Sequence, residues 1–538
     1  MKFALTRNAT TQGQRRILSV VATILTCSLF NPFTLNKSAQ AETLSYCKLS
    51  PDQIQQKENL RKEALTGKTE AVQAYFTILT DHAREVAQCR NKTWPQTQAI
   101  WLRLYPCDAR PGEIDRVLDQ IVNKGYNQVY LEAFYDGQVL LPVADNPTAW
   151  PSVIRTPGYE KFDILAKAIA KGKQRGLKVY TWSFTMNFGY TYAQRPDRQE
   201  ALARNGQGQT TLTIAQAASI TDQAENNENY AFIDPYSPQA RQDYSVMVNQ
   251  LLKRRPNGML FDYVRYLRGV GSASVITKVQ DLWIYGKSSQ EVLLQRAQNQ
   301  QGRDIIQRYL ARGFINLNDV QAANKLYPKE KEPLWPGRIP LPEPKPTVTP
   351  VSGKPNSPTT PPRKPIPGKP EVPPPPKLVD PAVLQNDLWQ LTVGHAVQGI
   401  LEFLGLAIQP AQRMGLPVGA VFFPDGNRRI NTGGFDSRLQ PWDRFPSSME
   451  FHAMSYGSCG DMSCIIPQVQ RVMNLAPQGA LIIPAIAGGW GQPVKNRPSL
   501  EIQMQAIHSI APQINAISHF SYGWQEPQDD RQRRSCRM

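Results

Sequence analysis

Carboxylate and aromatic side chains follow several short apolar runs of the sequence, which has 538 residues. One run continues as Glu132-Ala133-Phe134-Tyr135-Asp136-Gly137, and another continues as Asp262-Tyr263-Val264-Arg265-Tyr266. Further candidates near the ends of such runs are Trp182, Asn187, Asp425, His452, Tyr456, Trp490 and Trp524. Carboxylates among aromatic rings suit a sugar, because the apolar face of the sugar stacks on an aromatic plane while acids bind its hydroxyls or cleave its linkage.

The two carboxylates best placed for catalysis are Asp262 and Glu132. We expect Asp262 to act as nucleophile or base, with Arg265 close enough to hold it ionised and oriented, and Glu132 to act as proton donor. The predicted substrate-binding residues are Tyr135, Asp136, Trp182, Asn187, Arg265, Asp425, His452, Tyr456, Trp490 and Trp524. Structural alternatives stay open: Asp136 and Asp425 each precede a glycine, as in an ordinary turn, and His452 suits a core position.

The elements that must position these residues follow a repeating pattern of amphipathic helix, glycine and apolar strand. Residues Ile114, Val117, Leu118, Ile121 and Val122 have the spacing of a buried helical face, and Gly125 ends that helix before the next apolar run. The predicted strands are Ile100–Leu104, Val129–Leu131, Leu177–Phe184, Met259–Phe261, Val418–Phe423, Met449–Met454, Leu481–Ile486 and Ile517–Tyr522. Eight strands alternating with helices predict an α/β fold, a closed (β/α)8 TIM barrel, in which chemistry occurs at the carboxyl ends of the strands.

A long insertion interrupts this pattern after strand four. Eighteen of the 44 residues in 333–376 are proline, a composition typical of an extended linker that cannot bury a core. Neither half of the strand set closes alone, which favours one interrupted barrel over two domains separated by a linker. The predicted segments are 1–41, a signal peptide; 42–94, a helical N-terminal preface with a capping box at Ser50 and Gln53; 95–268, the first half of the barrel; 269–332, a helical insertion with a capping box at Ser288 and Glu291; 333–378, a proline-rich linker; and 379–538, the second half of the barrel.

The N-terminus and the net charge bear on location and partners. Four basic residues precede the apolar run Ile17–Phe30, and Ala39-Gln40-Ala41 resembles a cleavage site, so we expect an exported protein, periplasmic or extracellular, without a stable membrane anchor after cleavage. Most of the net charge of +17 lies in residues 1–41 and 325–377. The rest of the chain is too weakly basic to indicate a nucleic-acid partner.

Six cysteines remain after removal of the signal segment, and an oxidising compartment permits disulfides. Cys459 and Cys464 should be bridged, since they enclose a short loop. Cys47, Cys89, Cys107 and Cys536 allow three pairings. No cysteine or histidine set has the spacing of a zinc site, and we predict neither a metal nor a cofactor.

The segment Gly258-Met-Leu-Phe-Asp-Tyr-Val-Arg-Tyr266, together with Phe232-Ile-Asp-Pro235 and the unit Gly125–Gly137, resembles the bacterial glycosyl hydrolase-like family 10 barrels. The similarity extends over residues 95–266 and more loosely over 380–524. It implies a (β/α)8 fold, export and action on cell-surface glycans, with Asp262 at the acidic position of strand four. Many members carry two consecutive acids there, then a tyrosine and a closing proline, whereas this chain has Tyr263 after Asp262 and Leu267 in place of that proline.

Two functions from different classes therefore compete. The first is hydrolysis of a glycosidic bond in cell-wall or surface polysaccharide, including peptidoglycan glycan strands, by two carboxylates. The second is a noncatalytic glycan-binding barrel, favoured by the missing second acid after Asp262. A metal-dependent deacetylase ranks third, because the five histidines are dispersed.

Overall fold

The computed structural model describes residues 46–218, 230–330, 332–338, 380–431 and 433–538. The predicted signal segment 1–41 and most of the proline-rich segment 333–378 lie outside these ranges. Side chains are described in the same ranges except for residues 215–218.

Two helices, Pro51–Ala64 and Thr69–Lys92, precede the first strand. The predicted capping box is present at Ser50, whose hydroxyl accepts a hydrogen bond from the Gln53 N–H at 3.3 Å while the Gln53 side chain accepts from the Ser50 N–H at 2.8 Å. Buried Arg90 donates to the backbone carbonyls of Tyr46, Pro95 and Gly125. It thereby fixes the preface to the start of the barrel.

Eight parallel strands form the barrel. They are β1 (Thr97–Leu102), β2 (Gln128–Tyr135), β3 (Lys178–Phe184), β4 (Gly258–Asp262), β5 (Val418–Phe422), β6 (Glu450–Ala453), β7 (Leu481–Ile482 and Ala485–Ala487) and β8 (Ala516–Phe520). Each strand pairs with the next along the chain, and β8 pairs with β1. The two parts of β7 pair with different neighbours, Leu481–Ile482 with β6 and Ala485–Ala487 with β8, so the sheet closes. The predicted (β/α)8 fold is therefore confirmed.

Strands β4 and β5 are adjacent in space although the insertion separates them in sequence. Met259 pairs with Val418, and Phe261 pairs with Ala420. Insertions of this length cost little closure entropy, because that cost grows only logarithmically with loop length.

Helices cover the barrel between most successive strands. They are Glu113–Asn123, Ile164–Gln174, Thr211–Ala218, Pro238–Leu252, Pro381–Arg413, Ile465–Leu475 and Leu500–Ile510, with the short helix Tyr190–Ala193 after β3 and the helices Tyr522–Gln525 and Pro527–Ser535 after β8. Within the described ranges, the connection from β5 to β6 has no α-helix; it contains the short strands Arg429–Ile430 and Gly434–Asp436 and the 3-10 turn Trp442–Arg444. At Gly125, φ is 76°, and a Cβ there would collide with the carbonyl oxygen of Tyr46, so glycine is required where the preface crosses the barrel.

The insertion contains the short strand Val275–Ile276 and three helices, Lys287–Gln295, Gln300–Arg312 and Leu317–Leu326. The predicted capping box at Ser288 and Glu291 is wrong, because the helix already begins at Lys287. A carboxylate from outside the helix supplies the cap: Asp234 accepts a hydrogen bond from the Ser289 N–H at 2.8 Å. Sequence spacing within the helix does not reveal such a distant partner.

One helix in the described part of the chain, Pro381–Arg413, is long and apolar enough to cross a membrane by length and composition. More than half of its most apolar stretch is buried. It packs against Pro238–Leu252 and strands β4 and β5, which is the position of a barrel helix.

The six cysteines outside the predicted signal segment form three disulfides. Cys459 and Cys464 are bonded, as predicted, with Cα atoms 5.9 Å apart. The remaining four cysteines pair as Cys47–Cys89 and Cys107–Cys536, which selects one of the three pairings.

Candidate active site

Two buried carboxylates lie on alternate strands of the barrel. Glu132 is on β2 and Asp262 ends β4, with β3 between them. Trp182 on β3 pairs with Glu132 in the sheet, and its indole N–H donates to Asp262 Oδ2 at 3.2 Å. The two carboxylates are close enough for the charge on Asp262 to raise the pKa of Glu132.

Glu132 is 1% exposed and is held by Arg103, which follows β1. Arg103 Nε and Nη2 each donate to a different oxygen of Glu132, the latter at 3.0 Å, and Nη1 donates to Asp136 at 3.2 Å. Its guanidinium also lies 4.2 Å from the centre of the Tyr135 ring. Burial raises the pKa of Glu132 to about 7, and the attraction of Arg103 opposes that rise. Burial therefore favours the protonated form of Glu132, whereas Arg103 favours the ionised form.

Asp262 is 6% exposed and precedes a residue in an unusual backbone conformation. Tyr263 has φ of 53°, in the left-handed region that a bulky residue rarely adopts. In this conformation the Tyr263 N–H donates to Asp262 Oδ1 at 2.6 Å. Burial raises the pKa of Asp262 to about 6, although that bond and the Trp182 indole favour the ionised form. Such strain occurs most often at functional sites.

Arg265 forms no hydrogen bond or ion pair with Asp262 among the described contacts, so it does not orient that carboxylate as expected. Arg265 Nη1 instead donates to the Tyr266 carbonyl at 2.9 Å, and its guanidinium lies 4.6 Å from the centre of the Tyr263 ring. The reason is the turn after Asp262, which directs Arg265 towards aromatic rings. Its charge still lowers the pKa of Asp262 from a distance.

Aromatic rings continue from Trp182 to the rim of the barrel. Phe520, at the end of β8, lies 6.4 Å from Trp182, 5.4 Å from Tyr456 and 6.5 Å from Trp524, measured between ring centres. The structure thus brings together Glu132, Tyr135, Asp136, Trp182, Asp262, Tyr456 and Trp524 from the predicted set.

Four other predicted site residues lie elsewhere. Asn187 is buried and accepts hydrogen bonds from the backbone of Gly189 and Ala231, at 3.2 and 3.0 Å. His452 is fully buried inside the barrel, where its Nε2 lies 3.1 Å from Glu450 Oε2.

The remaining two of these four lie on loops outside the carboxylate pair. Asp425 pairs with Arg438 at 3.1 Å in the connection after β5. Trp490 packs on Tyr46 and donates to the Tyr126 hydroxyl at 3.2 Å, on the side of the barrel covered by the preface. Sequence position near a strand end therefore does not determine which way a side chain faces.

Several residues of the site are absent from the predicted set, namely Arg103, Tyr263, Lys495, Arg497 and Phe520. Arg103 directly follows β1, and Phe520 ends β8, so the same filter of strand ends could have selected both. Lys495 and Arg497 lie in a long loop after β7, where the sequence gives no comparable signal.

Two cavities, of about 570 and 360 Å³, lie along the helix Pro381–Arg413 rather than at the carboxylate pair. The larger is lined by the insertion and by Trp389, and the smaller by the connection after β5, including Arg428 and Arg444. Neither contains Glu132 or Asp262. Active sites of (β/α)8 barrels lie at the carboxyl ends of the strands, so the carboxylate pair remains the candidate site.

No protein-family model matches the chain, and no curated protein sequence is significantly similar to it. Among solved structures, it is similar to a GH20 exo-β-N-acetylglucosaminidase from Vibrio harveyi, with 9% identity over 82% of this chain and 52% of that one and a TM-score of 0.35. A GH18 chitinase from Pseudoalteromonas aurantia matches with 9% identity over 81% of this chain and 99% of that one, with a TM-score of 0.30. A maltogenic α-amylase from Thermotoga neapolitana matches with 9% identity over 80% and 68%, with a TM-score of 0.32.

The chain spans about half the length of the Vibrio harveyi enzyme. All three similar structures are glycoside hydrolases, at identities and scores too low to carry an argument about the site. The resemblance of Gly258–Tyr266 to glycosyl hydrolase-like family 10 thus stays a prediction.

Proposed function

We propose that this protein is an exported glycoside hydrolase that cleaves a glycosidic bond in a cell-wall or surface polysaccharide. The observation that carries the proposal is the pair Glu132 and Asp262, two buried carboxyls on β2 and at the end of β4 whose pKa values are raised to about 7 and about 6. Glycoside hydrolysis uses a pair of carboxyls with different protonation states. The three disulfides support an oxidising compartment.

In the proposed reaction, protonated Glu132 donates its proton to the glycosidic oxygen as the bond from that oxygen to the anomeric carbon breaks. Ionised Asp262 either attacks the anomeric carbon, and water then releases the sugar, or removes a proton from the water that attacks. Either route adds one water across the bond. Trp182 positions Asp262 through its indole N–H, and Arg103 fixes the orientation of Glu132.

A noncatalytic glycan-binding barrel is the second candidate, and one contact favours it. Arg103 donates two hydrogen bonds to Glu132, a bidentate arrangement that stabilises the carboxylate and opposes its protonation. In that case Glu132 would be a structural ion pair, and the cleft would bind glycan without cleaving it.

Reducing-sugar release from purified peptidoglycan glycan strands separates the two candidates. We expect wild type to release reducing ends, Asp262→Asn to abolish release while glycan binding persists, and Glu132→Gln to retain activity only on substrates with good leaving groups. Asp81→Asn and Glu85→Gln are matched controls, since both residues are exposed on the helix Thr69–Lys92. Binding without release by wild type would favour the noncatalytic barrel, and full activity of Asp262→Asn would refute the proposed mechanism.

A further inference from the structure

Two cations lie next to the Trp524 ring without a carboxylate partner among the described residues. Lys495 Nζ is 4.8 Å from the centre of the Trp524 ring, and the Arg497 guanidinium is 5.4 Å from it. Among the described residues neither cation forms an ion pair, and the Arg497 guanidinium donates only to backbone carbonyls. Two like charges held on one ring repel each other, and a bound anion would relieve that repulsion.

The loop carrying these cations is held in a strained conformation. Lys495 and Asn496 are consecutive residues with φ of 47° and 56°, in the left-handed region that costs free energy for residues other than glycine. Contacts with the neighbouring loop maintain it: Arg497 Nη2 and Nε donate to the Tyr456 carbonyl at 2.6 and 2.9 Å, and Asn496 Nδ2 donates to the Ser458 carbonyl at 2.8 Å. Lys495 is exposed on this loop.

The two cations also lie at the same end of the barrel as the carboxylate pair, which we call the mouth of the barrel. From Trp524 the rings continue through Phe520 to Trp182, which donates to Asp262. Tyr456 contacts both groups, since its carbonyl accepts hydrogen bonds from Arg497 and its ring centre lies 5.4 Å from that of Phe520. By contrast, the Arg103 charge at this mouth is already compensated by Glu132 and Asp136.

We propose that Lys495 and Arg497 form a subsite for a carboxylate carried by a sugar ring, one that lies against Phe520 and Trp524. The substrate class is then an acidic polysaccharide rather than a neutral one. A lactyl ether, as in peptidoglycan, and a uronic acid both offer this carboxylate. The consequence for cleavage rests on the proposed function, whereas binding of the carboxylate does not.

Binding to glycans that differ only in the carboxylate tests the subsite. Calorimetry on Asp262→Asn, which excludes turnover, compares peptide-free glycan strands with the same strands after reduction of their carboxyls. A second arm compares polygalacturonate with its methyl ester, which distinguishes a uronic acid from a lactyl carboxylate. We expect at least one acidic glycan to bind about tenfold more tightly than its neutral counterpart, the worth of one charge-assisted hydrogen bond.

Variants of Lys495 test whether this residue causes the preference for acidic over neutral glycans. Lys495→Gln should abolish the preference and Lys495→Arg should restore it, whereas Lys178→Gln, an exposed lysine at the opposite end of β3, should leave it unchanged. Equal binding of acidic and neutral glycans, or an undiminished preference in Lys495→Gln, would overturn the subsite.

If wild type cleaves neutral and acidic strands equally, the subsite fails while the proposed function stands. If wild type cleaves neither but prefers the acidic glycan, only the proposed function fails.

Discussion

The charges of Asp262 and Glu132 are stabilised by different kinds of hydrogen-bond donor. Asp262 receives two N–H donors, from Tyr263 and Trp182, and Glu132 receives a guanidinium from Arg103. Burial outweighs these contacts at both carboxyls and raises both pKa values above the ordinary range. The two groups are therefore able to differ in protonation near neutral pH.

The pH dependence of catalysis should follow these two values. The proposed reaction requires ionised Asp262, with a pKa of about 6, and protonated Glu132, with a pKa of about 7. We expect kcat/KM to rise with pH up to about 6 and to fall above about 7, measured on glycan strands between pH 4 and 9. A flat profile between pH 5 and 8 would contradict these roles.

Replacement of Asp262 should stabilise the protein at alkaline pH. The pKa of this carboxyl in the folded protein lies above its ordinary value of 3.8, so its contribution to stability is present at low pH and is lost as pH rises through about 6. Asp262→Asn should therefore raise the free energy of unfolding at pH 8 by about 1–3 kcal/mol, and change it little at pH 4. Urea unfolding at both pH values measures this, and destabilisation of the variant at pH 8 would be the opposite result.

At the scale of single residues, the positions of Asp262 and Glu132 on strands follow from the sequence, whereas their hydrogen-bond partners do not. Asp262 and Glu132 follow apolar runs, and the position of such residues at strand ends follows from the barrel fold. The partner of Glu132 comes from a different strand, and Arg265 turns away because of the backbone at Tyr263. Both features depend on three-dimensional packing, which residue spacing does not encode.

Among the elements, the insertion is fastened to the helix Pro381–Arg413 by a buried histidine. His395 Nε2 lies 3.0 Å from the Ser289 hydroxyl, and its Nδ1 accepts a hydrogen bond from Arg296 at 3.1 Å. The His395 ring also stacks on Tyr236, with ring centres 4.4 Å apart. Since Nδ1 is an acceptor, the proton is on Nε2 and Ser289 is not activated as a nucleophile. The cluster is a connection between elements.

Because of buried His395, we expect the free energy of unfolding to fall as the pH is lowered. Burial and the nearby Arg296 lower the pKa of His395 to about 3, below the ordinary 6.5, so its contribution to stability is present above pH 6.5 and is lost as pH falls. His395→Gln should reduce the loss of unfolding free energy between pH 6.5 and 4 by about 2–3 kcal/mol. Thermal and urea unfolding across this range check the change, and an identical slope in both proteins would refute it.

Strand positions follow from the sequence better than connections do. All eight predicted apolar runs overlap strands, because the interior strands of a parallel barrel are buried on both faces. The connection from β5 to β6 shows the limit, since it contains a pair of short strands, one of which pairs with Val275–Ile276 of the insertion. Pairing between segments so distant in sequence has no local signal.

In the molecule as a whole, closure of the barrel joins the two ends of the described chain. Strand β8 pairs with β1, and the helix Pro527–Ser535 after it returns to the residues that follow β1. There Arg533 forms a buried ion pair with Asp108 at 2.7 Å, and Cys536 is bonded to Cys107. The C-terminal segment thus supports the loop that carries Arg103.

The disulfides should differ in their effect on stability according to the chain length that each encloses. Cys107–Cys536 spans 429 positions and Cys459–Cys464 spans five. If each bond acts mainly by restricting the unfolded chain, its removal costs about 6 kcal/mol for the long loop and about 2 kcal/mol for the short one. The Arg533–Asp108 pair should keep the C-terminal helix docked in the folded state, so that most of the loss comes from the unfolded chain.

Urea unfolding of the double variants Cys107→Ser/Cys536→Ser and Cys459→Ser/Cys464→Ser tests this difference. We expect the first to lose more unfolding free energy than the second. We also expect the first to retain its glycan binding at low denaturant, because the ion pair at Asp108 still holds the C-terminal helix against the segment that follows β1. Equal losses would show that native-state packing around each bond, rather than loop length, determines its contribution. Loss of glycan binding in a folded first variant would show that the bond itself positions the Arg103 loop.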